Sequence, residues 1–399
     1  MATEDLFRIL SLDGGGCWAL IQAKALLDIY GDIPGNRLLA NFDLVAANSG
    51  GSIVAAALAA NLTSSDIVAR FMDERWRRKI FVDLPWFQKI PRILGLGPRF
   101  STSAKLQGLR EALGPIADIK LQDLPGAIAG NAQRSPHFLI VGFDYDRERA
   151  VFFRSNTGSR AASFSPHASP TLAEAVHASS TAPINFFDEP AKFQSSSVRY
   201  WDGAVTGNNN PILAAVVEAL ANQVPPEAVR ALSIGTGSVF LPLKRGVPPL
   251  VAPPKEQNLL NDIKEIAGSI LDDPPDADTF ISHVTLGGAL PAGPDQVVSD
   301  GPAVRLNPLV QPILDEGEWR LPGWNKPGTH LDSREFMRLV ELDIAAIEQA
   351  DMDLINKFCE EWLNDVVPNQ GIRSNGETFA VEVGHSRYGA GKETWLRSI

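Results

Sequence analysis

Two stretches near the start of the chain share one pattern: a short apolar run, a glycine-rich turn, then a second apolar run. They read RILSLDGGGCWA over residues 8–19 and DLVAANSGGSI over 43–53. Short apolar runs ended by glycine predict strands, and the longer runs behind the glycine predict helices. The pattern places a strand at 7–12, a helix at about 17–30, a strand at 42–47 and a helix at 49–61. Residues 64–82 read as helical, capped by Ser64 or Ser65. HFLIVGFDYDRERAVFFRS (137–155) reads as a hairpin turning at Asp144–Arg149, 171–181 as a helix and 231–238 as a buried strand. Beyond these lie a Pro-rich loop (241–256), a helix (257–272), an irregular Pro/Gly-rich stretch (273–335) and two helices covering the sheet (333–367). Alternating strands and helices predict an α/β fold with a mostly parallel central sheet flanked by helices, as one domain over 1–399. No internal repeat is evident.

Composition narrows the setting. With 44% apolar and 21% charged residues, the chain of 399 residues has an ordinary globular make-up and length for a large core. A net charge of −11 argues against general nucleic-acid binding, which favours a basic surface. The two cysteines, Cys17 and Cys359, lie far apart and suggest no disulfide framework, which fits a reducing cytoplasm. The N-terminus MATEDLF is acidic and lacks a signal-peptide pattern. No apolar run approaches the roughly 20 residues of a membrane span. The longest, SIVAAALAANL (52–62), reads as the buried helix behind Ser49, so any membrane contact is expected to be peripheral.

The glycine-rich turns carry the candidate chemistry. In Ala47-Asn48-Ser49-Gly50-Gly51, Ser49 sits where a sharp strand-to-helix turn would project its hydroxyl among small neighbours. Alanine stands where the strict G-x-S-x-G elbow has its first glycine. Gly14, Gly15 and Gly16 precede a helix, where fixed backbone N–H groups can stabilise an oxyanion. Taken singly, Ser49 could be a helix N-cap and DGGG an ordinary turn. Together they suggest acyl transfer.

A third stretch, VRYWDGAVTGNNNP (198–211), places Asp202 after a β-like run and before Gly203. With these three, ASSTAPINFF (178–187) and LSIGTGS (232–238), the chain resembles the patatin-like phospholipases over residues 8–238. That family has an N-terminal DGGG loop, a nucleophile elbow some thirty-odd residues later, and an aspartate in a D-G-G/A motif. The resemblance implies a serine acyl hydrolase with a Ser49–Asp202 dyad, an oxyanion hole at Gly14, Gly15 and Gly16, and an acyl-enzyme intermediate. It implies phospholipids or related glycerolipids as substrates, phospholipase A-type or lysophospholipase activity, and neither cofactor nor metal. The chain departs from the family at Trp18 and Ala19, where an Arg and a Gly usually stand, and at Ala47.

Two other readings compete. A Ser-His-Asp triad would draw on His283, His330 or His385, and its order of Ser, acid, His is satisfied. A binding-only protein could use the glycine loop to cradle a phosphate, although the loop matches neither GxGxxG nor a P-loop. The acidic cluster Asp272, Asp273, Asp276 and Asp278 lacks EF-hand spacing and reads as a solvated loop. Residues 70–100 hold eight Lys or Arg against three acidic residues, with Trp76, Trp86 and four phenylalanines. Such a stretch suits an anionic lipid surface, or else a helix and loop whose aromatics pack on the sheet.

Overall fold

The computed structural model describes residues 6–85, 97–129, 135–162, 169–194, 196–239, 274–293, 296–325, 330–375 and 380–399. A sheet of eight strands forms its centre. They are β1 (Phe7–Leu12), β2 (Leu44–Ala47), β3 (His137–Asp144), β4 (Arg149–Arg154), β5 (Ala191–Lys192), β6 (Arg199–Asp202), β7 (Val229–Ile234) and β8 (Ala303–Leu306). Their order is β5-β6-β3-β2-β1-β7-β8, and β4 also pairs with β3. The pairs β3–β2, β2–β1, β1–β7 and β7–β8 are parallel, while β4, β5 and β6 join antiparallel. The fold is thus the expected α/β arrangement with a mostly parallel sheet.

Alternation along the strands divides the core. Leu10 and Leu12, Val45 and Ala47, Phe138 and Ile140, and Leu232 and Ile234 face one side. The helices Leu20–Tyr30, Ser49–Ala59, Leu172–Ser179 and Gln349–Leu363 bury their apolar residues there. Ile9, Leu44, Ala46, Leu139, Val141, Val229 and Ala231 face the other side, against the helix Ile212–Ala221. A strand side chain switches face at every residue, so both sides of a parallel sheet need apolar cover.

Register brings the glycine-rich turns together. Leu12, the last residue of β1, pairs with Ala47, the last of β2, and with Ile234, the last of β7. Three turns therefore leave the carboxyl ends of adjacent parallel strands, where open α/β sheets place their ligand crevices.

Some expectations need correction. The helix expected over 64–82 is two, Ser64–Met72 and Glu74–Ile80, parted by Asp73. Asp73 ends the first in an extended conformation and caps the second by accepting from the Arg75 amide. The first is capped by Thr63, with Asp66 completing a capping box, not by Ser64 or Ser65. The stretch 273–335 is not simply irregular: it contains the helix Pro274–Thr285 and β8, whose four residues are all buried. The loop expected at 241–256 and the helix at 257–272 lie outside the described residues. Cys17 and Cys359 are free and buried. Among the described residues no helix is long and apolar enough to cross a membrane.

Candidate active site at the strand ends

Ser49 follows β2 after a single residue, Asn48, and opens the helix Ser49–Ala59 with φ +44°. That left-handed conformation is uncommon for a residue with a side chain and marks a sharp elbow. Two glycines permit it to pack. A Cβ on Gly50 would lie 2.6 Å from the Gly16 carbonyl oxygen, and one on Gly51 would lie 2.5 Å from that of Leu12. Ala47 is fully buried in β2, so alanine is accommodated at the elbow's first position.

Asp202 ends β6, and its amide donates to the Thr181 carbonyl (2.9 Å). One carboxylate oxygen accepts from the Ala204 amide (2.9 Å) and from Asn48 Nδ2 (3.3 Å). Burial pushes the carboxyl's pKa up. A hydrogen bond from the Ser49 side chain opposes this most, followed by the Ala204 amide, Lys105 and Asn48. Ser49 and Asp202, distant in sequence, thus come together in a buried pocket of polar groups.

The groups around this pair were not singled out in the sequence. Asn48 donates to both Asp202 and Asn209, and its Oδ1 accepts from Ser179 Oγ (3.2 Å). Ser179 Oγ accepts the Ser49 amide (2.9 Å). Asn48 stands beside Ser49, and Ser179 lies inside the family-like ASST stretch, so both could have been flagged by neighbourhood. Lys105, fully buried, reaches the same region from the helix Thr102–Leu113. It had no sequence signal, because its pattern is that of an ordinary surface helix.

The glycine loop lies against the elbow: a Cβ on Gly14 would fall 3.0 Å from that of Ser49. Its amides are not equivalent. The Gly14 N–H donates to the Asn209 carbonyl (2.9 Å) and so is engaged, which narrows the expected donor set. Among the described residues the N–H groups of Gly15 and Gly16 have no acceptor. Thr236 Oγ1 donates to the Gly14 carbonyl (2.6 Å), and the Trp18 amide to that of Gly15 (3.1 Å). A trans peptide points its N–H opposite its C=O, so fixing these carbonyls aims the Gly15 and Gly16 donors the other way.

Asp13, first residue of DGGG, is held outside the chemistry by Arg305 of β8, whose two terminal nitrogens donate to its oxygens at 2.9 and 2.6 Å. Both side chains are buried. Trp18 and Ala19 are core residues; the Trp18 indole donates to the Asp343 carbonyl (3.2 Å) and meets Phe358 edge-on.

A cleft opens at Ser49 between Gly16 and Gly50, walled by Ile53, Ile80, Phe81, Phe186, Phe187 and Ile344. Its lining is apolar apart from Ser49 and Ser180, and its free volume of about 10 Å³ is that of a single water. Phe81, Phe100 and Phe187 form an aromatic cluster with ring centroids 5.2 to 6.0 Å apart.

The candidates His283 and His385 stand apart from this arrangement. His283 is buried with Nε2 2.9 Å from the Ala289 carbonyl oxygen, and His385 is buried beside Gly391. No histidine is among the groups that bear on Asp202. Of the basic and aromatic stretch 70–100, Arg77 is buried, donating to the Ile347 and Phe71 carbonyls and to Gln349. Arg78 pairs with Glu74, Asp83 and Glu348, and Lys79 with Glu111. Trp86 lies outside the described residues.

Residues 10–216, more than half of the chain, match the sequence profile of the family described as patatin-like phospholipase. A cUMP-AMP-activated phospholipase of Escherichia coli is 25% identical over 239 residues, covering 59% of this chain and 66% of the relative. A cGAMP-activated phospholipase of Pseudomonas aeruginosa is 26% identical over 242 residues, covering 60% and 65%. The matched region thus spans just under two thirds of these relatives' length. Among solved structures, VipD from Legionella pneumophila aligns over 90% of this chain and 67% of its own, with 10% identity and a TM-score of 0.36.

Proposed function

The chain belongs to the patatin-like phospholipase family, and from that premise we propose that it is a serine acyl hydrolase cleaving ester bonds of phospholipids or related glycerolipids. Asp202 takes the Ser49 proton as Ser49 attacks the ester carbonyl. The oxyanion develops against the Gly15 and Gly16 amides, the alcohol leaves with the proton, and water then releases the fatty acid from the acyl-enzyme. The acyl chain enters along the apolar wall of Ile53, Phe81 and Phe187, whose side chains part to admit it, since the cleft as it stands holds about 10 Å³. All of residues 1–399 form the one catalytic domain, a cytoplasmic protein that meets its lipid peripherally at a membrane surface.

The observation that carries this reading is the left-handed Ser49, whose side chain bears on the buried Asp202 carboxyl, beside two amides without an acceptor among the described residues at an apolar cleft. A phosphate cradle has no use for a hydroxyl paired with a buried carboxylate. A triad would need a histidine on Ser49, and Asp202 takes that position.

A fluorophosphonate probe should label Ser49 alone, and Ser49→Ala should abolish labelling and hydrolysis across a panel of phospholipid and lysophospholipid esters. Asp202→Asn should lower kcat by orders of magnitude with the fold intact, since an amide accepts no proton. Each assay is run with and without cUMP-AMP and cGAMP, the activators in the names of two relatives. Labelling at Ser52, or full activity in Asp202→Asn, would overturn the assignment.

A further inference from the structure

Lys105 is a buried cation that the dyad chemistry leaves unused. Its side chain is wholly buried. Nζ donates to the Thr181 hydroxyl (2.7 Å) and the His177 carbonyl (3.1 Å), and sits 4.4 Å from the centroid of Phe187. Each contact leads to the site. Thr181 accepts the Asp202 amide through its carbonyl, and Phe187 walls the cleft at Ser49. A lysine almost never lies fully buried without a paired carboxylate, because its desolvation is costly. Here both hydrogen-bond partners are neutral, and the nearby carboxylate is that of Asp202.

We infer that Lys105 is a positioning residue for the reaction: its amine faces the buried Asp202 carboxyl, and its bonds to the 177–181 turn set the Asp202 backbone and the Phe187 wall. This rests on the reading of Asp202 as the base. The groups facing Asp202 are Ser49 and Asn48 from the elbow, the Ala204 amide from its own turn, and Lys105 from the helix Thr102–Leu113. Among the described residues Lys105 is the cation that bears on it. His177 faces Lys105 from the helix Leu172–Ser179; burial, Lys105 and Arg110 hold its pKa well below the usual value, so it stays neutral and does not replace the lysine's charge. Burial holds the pKa of Lys105 well below its usual value, with Asp202 opposing, and raises that of Asp202, with Lys105 among the groups opposing, so each partner favours the other's charged form against burial.

The test is the pH dependence of kcat/KM, whose acid limb reports the base in the free enzyme. Lys105→Met keeps the length and apolar stem and removes the charge. It should move the acid limb up by about one pH unit, with Tm measured alongside to follow the loss of the buried pair and of the two Nζ hydrogen bonds. Thr181→Val, which withdraws one partner and keeps the lysine, should move the limb in the same direction by less. It serves as the deciding variant if Lys105→Met does not fold. An unmoved limb, or an equal loss of kcat at every pH, would overturn the proposal and leave Lys105 a packing residue. Asp202→Asn separates the two readings. If it retains the wild-type limb, Asp202 is not the base; if it abolishes the limb while Lys105→Met leaves it in place, only the role of Lys105 fails.

Discussion

Gly16 answers to two constraints at once. Its φ of +56° suits glycine, and a Cβ there would meet the Ile344 carbonyl oxygen at 2.2 Å. Its N–H is also one of the two unpartnered donors beside Ser49. Gly16→Ala should therefore displace the donor and lower kcat by roughly 10²–10³-fold, the usual cost of one oxyanion donor. The change should fall on kcat more than on KM, with Tm measured alongside to follow the strain. An effect on KM alone would mean that the loop only binds substrate. At this scale the glycines were legible because a run of three has few uses. Which amides stay free was not, since that depends on Asn209 and Thr236, both remote in sequence.

The helix Glu74–Ile80 carries a charge pattern open to two readings. Its basic run RWRRK suggests a surface for anionic lipid. Yet Arg77 points inward to three acceptors, Arg78 and Lys79 meet carboxylates, and Trp76 lies between Arg70 (4.5 Å) and Lys79 (4.3 Å). Arg77→Glu should lower Tm by about 5 °C or more, because a carboxylate would replace the buried guanidinium and face its three acceptors. It should also reduce hydrolysis of vesicle lipid and of a small soluble ester together, since Ile80 and Phe81 wall the cleft. Loss on vesicles alone would assign the helix to the membrane. Periodicity located the helices on either side of Asp73. It did not reveal their break, because an aspartate that ends one helix while capping the next looks like an ordinary polar position.

Across the whole molecule, buried carboxylates couple stability to pH. Burial, reinforced by Asp13 and opposed by Arg305, pushes the Asp278 pKa up to about 7 from 3.8. Burial pushes Glu361 up to about 7 from 4.5. Both folded values exceed the unfolded ones, so the protonated forms are favoured in the fold. Below about pH 4 neither group costs stability. As pH rises from there towards 7, the unfolded chain releases protons that the fold retains, and stability falls. Asp278→Asn and Glu361→Gln should each raise Tm at pH 8, on the order of a few degrees, with the gain shrinking towards pH 4. A gain independent of pH would assign the effect to packing.

The sequence by itself determined the elements that local physics controls. Apolar runs closed by glycine wrote β1 and β2 with their turns, the segment 137–155 read as the hairpin of β3 and β4, and the family-like motifs marked Ser49 and Asp202 as candidates. Only the tertiary structure decided what surrounds them. β8 was hidden in a Pro/Gly-rich stretch because four buried residues carry too little pattern to read as a strand. Its Arg305 crosses 292 positions to hold Asp13. Lys105, Asn48 and Thr236 enter the site from three separate segments: Asn48 and Thr236 follow parallel strands whose register brings their turns together, and Lys105 comes from the helix Thr102–Leu113. Parallel neighbours are joined through long crossovers, so residues that meet at the sheet's end are far apart along the chain, and no local window contains both.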